Sequence, residues 1–96
     1  MEKDPLIKIR AKIDDIDDQI IDLLGERFEC VSQVAKMKKK QHTTVYQPER
    51  EEIVLKRVLD RGARLGLNPL LLQALFMQIF AVSKREQRGL KEFSRV

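Results

Sequence analysis

Tryptophan is absent from this sequence, and cysteine, histidine and tyrosine occur once each among 96 residues. A single thiol, Cys30, excludes an intrachain disulfide and a cysteine metal cluster, and a reduced, cytoplasmic setting is the expectation that goes with it. Cys30 itself reads as a small buried or half-buried side chain. The one histidine, His42, lies in a polar stretch without ligand partners. No Cys-His or Ser-His-Asp constellation for nucleophilic catalysis is marked in the sequence. Only four glycines and few aromatics argue against a β-sandwich. No stretch alternates with period two, which leaves no candidate strand. No apolar run reaches the roughly 18 residues of a membrane-spanning helix, and the first residues carry no signal-peptide core. Neither a membrane nor a secretory route is expected.

What is present is an apolar content of 43% and a charged content of 35%, the profile of a helical globular domain. Ninety-six residues suit one domain, 1–96, being too few for two separate cores. Nineteen basic against fifteen acidic residues leave a net charge of +4, a mild bias that suits a small anionic ligand as well as a nucleic acid. Asp14, Asp15, Asp17 and Asp18 resemble a metal cluster in composition alone. Successive helical residues are about 100° apart, which spreads these four around the solvated side. No metal or other cofactor is expected.

Each of the three prolines follows a possible cap, in Asp4-Pro5, Gln47-Pro48 and Asn68-Pro69, and each precedes an apolar pattern of helical period. The reading is all-α, with three helices. The first runs from Pro5 to Lys40, with Ile9, Ile13, Ile16, Ile20, Leu23, Val31 and Val34 on one stripe. The second runs from Pro48 to near Leu65 and stops at Gly66, a suitable left-handed terminator. The third starts at Pro69 and turns Leu72, Leu75, Phe76, Ile79 and Phe80 inward. "QHTTVYQ" is the loop between the first two.

Length has a consequence of its own. A helix of about 36 residues is about 54 Å long, whereas a compact domain of this size is roughly 30 Å across. The first helix should overhang a monomeric globule while its apolar stripe continues. A second copy of the same chain, packed around a two-fold axis, is the simplest cover.

Two apolar stripes also carry polar residues. The spacing of Leu23, Val31 and Val34 passes through Arg27 and Lys38, which are eleven apart and point within about 20° of each other. On the third helix the stripe Leu72, Phe76, Phe80 continues to Ser83 and Gln87. Snorkelling and a helix end turning polar would explain each case singly. Together, with no acid on either stripe, they call for an anionic ligand as partner, because an unpaired buried charge is expensive. Arg10 is turned about 100° from the Arg27–Lys38 face and lies some 25 Å along the axis. It cannot serve the same site within its own helix, and in an antiparallel dimer it could reach the partner's.

These features sit in the segments "IRAKIDDIDDQIIDLLGER", "KMKKK", "VYQPERE" and "SKREQ", and with them the chain resembles the all-helical chorismate mutases over essentially its whole length. The family's motif falls on Arg10, Arg27, Lys38, Arg50, Glu51, Ser83 and Gln87. Gln47 stands where family members often carry an aspartate, a departure that bears on one contact to the substrate hydroxyl. The resemblance implies an intertwined homodimer forming a helical bundle and the conversion of chorismate to prephenate. It also implies Arg27, Arg50 and the partner subunit's Arg10 as carboxylate clamps, with Ser83 helping to seat a carboxylate. Lys38 and Gln87 would donate to the ether oxygen, and Glu51, with Gln47 nearby, would meet the ring hydroxyl.

Two rivals stand beside this reading. An isochorismate-pyruvate lyase shares the fold and the cationic clamp, but Glu51 is, by resemblance, a mutase feature. A nucleic-acid-binding helical dimer would rest on "KMKKKQH". Lysines in a last helical turn, however, answer the helix dipole, and "DDIDD" would repel phosphate along much of the first helix.

Overall fold

The computed structural model describes residues 4–41 and 48–87, without the side chains of residues 86 and 87. It contains three α-helices, α1 (Pro5–Gln41), α2 (Pro48–Arg64) and α3 (Pro69–Gln87), and no strand among the described residues. The fold class is the expected all-α, and the helix limits differ from expectation by one residue, at Gln41 and at Arg64. The predicted loop, with His42 and Gln47, lies outside the described residues apart from Gln41, which closes α1.

Local chemistry explains where the helices start and stop. Asp4 Oδ1 accepts a 2.9 Å hydrogen bond from the Leu6 amide at the head of α1. Asn68 Oδ1 does the same for the Leu70 amide at the head of α3. Each satisfies an N–H that the first helical turn leaves without a backbone partner, while the intervening proline has none to satisfy. At the end of α2, Gly66 takes φ 71°. Its amide donates to the Ala63 carbonyl at 3.1 Å and the Leu67 amide to the Gly62 carbonyl at 2.9 Å. That pair of bonds is the Schellman arrangement, which needs a left-handed residue at this position.

The chain divides into two compact units, Met1–Cys30 and Val31–Val96. In the first, the described residues are the greater part of α1. Every one of them through Leu23 is exposed, the predicted stripe Ile9, Ile13, Ile16, Ile20 and Leu23 included, and Leu24, Arg27 and Phe28 are half-buried. Cys30 is exposed, contrary to expectation. At about 100° per residue it sits roughly 110° off the face that Leu24, Arg27 and Phe28 share.

In the second unit α2 and α3 pack together. Two contacts define their register: Leu72 lies against the bare Cα of Gly62, and Lys84 reaches Glu51. The start of α2 meets the end of α3 and the reverse, so the pair is an antiparallel hairpin closed by the turn at Gly66. Among the described residues the buried apolar side chains are Val54, Ile79 and Phe80, and Phe76 meets Phe80 edge to face at 6.1 Å. Leu72 and Phe76 are half-buried, whereas Leu75, expected inward, is exposed. It falls about 80° off the midline of the face formed by Leu72, Phe76, Ile79, Phe80 and Ser83. Of the rest of the α1 stripe, Val31 is half-buried and Val34 exposed. No described helix is long and apolar enough to cross a membrane.

Candidate functional site

Arg10 and Arg27 belong to the first unit, Arg10 exposed and Arg27 half-buried. Lys38, Arg50, Glu51 and Ser83 belong to the second, where Lys38 and Glu51 are half-buried, Arg50 is exposed and Ser83 is buried. Gln47 and the side chain of Gln87 lie outside the described residues. Sequence spacing had presented Arg27 and Lys38 as charges for which an anionic ligand is the expected partner. Each also has an interaction within the chain, so neither depends on a ligand for a partner.

Arg50 and Glu51 occupy the first turn of α2, where Glu49 and Glu51 answer the positive end of the helix dipole. Glu51 is brought together with α3: its Oε2 lies 3.4 Å from Lys84 Nζ. The neighbouring Ser83 donates its hydroxyl to the Ile79 carbonyl at 2.7 Å, the back-bond to the preceding turn that buried helical serines make. In that rotamer its oxygen can still accept a hydrogen bond. To donate to a carboxylate it has to leave the Ile79 carbonyl.

Lys84 is the residue that spacing along one helix missed. The hairpin register could have found it. Gly62 with Leu72 and Glu51 with Lys84 each add to nearly the same number, as opposed positions in an antiparallel pair must. The same sum sets Val54 opposite Phe80, and both are buried.

A groove along α2 is lined by Ile53, Lys56, Arg57, Asp60, Arg61 and Arg64. It holds none of the predicted site residues. Among the described residues no group of three or more His, Cys, Asp or Glu side chains is placed to hold a metal ion.

A family described as chorismate mutase type II matches residues 9–88. The chain belongs to that family. A bifunctional chorismate mutase/prephenate dehydratase of Buchnera aphidicola is 32% identical over 88 residues, which is 92% of this chain and 23% of that protein. One from Stutzerimonas stutzeri is 39% identical over 64 residues, 62% of this chain and 18% of that protein. A T-protein of Enterobacter agglomerans is 31% identical over 78 residues, 81% of this chain and 21% of the relative. The chain thus spans about a fifth of the length of the curated relatives it matches. The chorismate mutase type II match runs through all three described helices and both units. Arg10, Arg27, Lys38, Arg50, Glu51, Ser83 and Gln87 all fall within it.

Proposed function

We propose that residues 1–96 form one chorismate mutase domain, an isomerase that rearranges chorismate to prephenate in phenylalanine and tyrosine biosynthesis. The observation that carries this reading is the family match across residues 9–88. The reaction is an intramolecular Claisen rearrangement, which needs no nucleophile, metal or cofactor from the protein. What it needs is a dicarboxylate folded into a chair-like shape and donors aimed at the ether oxygen as its C–O bond lengthens.

Arginine suits the first task, because its rigid fork gives a carboxylate two hydrogen bonds. Arg27 and the partner subunit's Arg10 are the clamps, with Arg50 in support, and freezing the reactive conformer supplies part of the rate. Lys38 and Gln87 donate to the ether oxygen, where negative charge develops. Glu51 accepts from the ring hydroxyl, with Gln47 beside that contact. Ser83 helps seat a carboxylate by turning its hydroxyl away from Ile79. The working unit is a homodimer in the cytoplasm, acting on a small molecule and not on nucleic acid. The exposed isoleucines of α1 support the dimer, since a second chain would cover them.

The test is conversion of chorismate to prephenate by the purified chain, with Lys38→Ala alongside. Loss of that donor should cost at least about 3 kcal/mol in the transition state, more than a hundredfold in kcat/KM, while the variant still folds. No prephenate from the wild type contradicts the reading, and near wild-type turnover by Lys38→Ala contradicts the role of that residue. Release of pyruvate from isochorismate in place of mutase turnover would favour the lyase. The nucleic-acid binder would rest on the basic segment "KMKKKQH". Such a binder would hold duplex DNA with an affinity that falls steeply with salt; the mutase reading expects no measurable affinity.

A further inference from the structure

Lys84 is given no task by the reading above, on which this inference rests. Its ammonium lies 3.4 Å from Glu51 Oε2, with side chains 31% and 25% exposed. The pair joins the first turn of α2 to the last turn of α3, beside the buried Ser83. Ion pairs at this degree of exposure contribute little to stability, and Val54, Ile79 and Phe80 already hold the hairpin together. The pair matters more for what Glu51 has to do. A carboxylate that accepts from a substrate hydroxyl stands next to a substrate carrying two negative charges, and that like charge opposes binding unless something offsets it.

We propose that Lys84 is a positioning residue for Glu51. It holds the carboxylate through Oε2, leaves Oε1 to the substrate hydroxyl, and offsets the charge that would otherwise repel a dicarboxylate. A neutral side chain at position 84 should therefore weaken substrate binding more than it slows the chemical step, and leave stability almost unchanged.

The experiment is steady-state kinetics of chorismate conversion by Lys84→Met, Lys84→Gln and Lys84→Arg, each made in the wild-type and Glu51→Gln backgrounds, with thermal unfolding of every variant. Lys84→Met and Lys84→Gln should raise KM about fivefold, the range of coupling between residues in contact, and lower kcat by less. Lys84→Arg should restore KM. In the Glu51→Gln background the same replacements should leave KM where Glu51→Gln alone has set it. An unchanged KM in both neutral variants overturns the inference, as does an equal rise with and without Glu51. A wild-type chain that makes no prephenate removes the functional reading and this inference with it. A wild-type chain that turns over, with additive variants, removes this inference alone.

Discussion

In the first unit Ile9, Ile13, Ile16 and Ile20 stand at 57%, 49%, 44% and 49% exposure, whereas in the second Val54, Ile79 and Phe80 are at 4%, 8% and 5%. Both regions are helical and both carry apolar residues at helical spacing. In the α2–α3 hairpin those residues pack helix against helix, whereas along the first unit the isoleucines are exposed. An isolated helix in water is marginal at best, and most helical stability in proteins comes from packing an apolar face. A buried isoleucine or valine contributes about 1.5–3 kcal/mol relative to an exposed one, and the isoleucines of α1 forgo much of that within one chain. Hydrophobic spacing therefore signals a face to be covered without saying which chain does the covering. The dimer proposed above is the reading in which both regions obey the same physics.

Four variants sharpen the contrast. Phe80→Ala should have the largest effect on stability, about 4 kcal/mol, because it empties the hairpin core and removes the edge-to-face contact with Phe76. Urea unfolding measures it, and a loss under about 1 kcal/mol would mean that this core is not what holds α2 to α3. Ile16→Ala should cost about 2 kcal/mol if a second chain covers the stripe. The unfolding midpoint of the wild type should then fall on dilution, as mass action requires. A midpoint independent of concentration, with an Ile16→Ala change within about 0.5 kcal/mol, would leave the stripe in water. Gly66→Ala should cost about 1 kcal/mol at any concentration, since its strain at φ 71° is local to the turn. Gly66→Asn should cost less, because asparagine tolerates the left-handed region. Equal stability of Gly66→Ala and the wild type would contradict the Schellman account.

Helix limits were legible in the sequence because local chemistry sets them. Asp4, Asn68 and Gly66 act on amides and carbonyls a few residues away, and a linear reading sees that distance. Inward faces were legible only in part. Ile79 and Phe80 were read correctly, but Leu75 sits on the flank that the hairpin does not cover, and only the helix across from it decides that. Lys84 escaped for a related reason: its partner Glu51 is on another helix, and no periodicity within α3 marks it. The polarity of Arg27 and Lys38 was visible, whereas their interactions within the chain were not. As for Arg10, its separation from Arg27 and Lys38 could be read from helix geometry, and the proposal that it acts across two chains follows from that separation.

That proposal can be tested by mixing two inactive variants. Arg10→Ala and Arg27→Ala homodimers should each be nearly inactive, since every shared site lacks one clamp. Unfolded together in equal amounts and refolded, they should pair at random. About half of the dimers are then mixed, and each mixed dimer holds one site with both arginines and one with neither. Prephenate formation should return to about a quarter of the wild-type rate per site, by the same pairing statistics. No recovery, in a sample whose mass shows mixed dimers, would contradict a site shared between two chains and return Arg10 to its own chain or to no role at all.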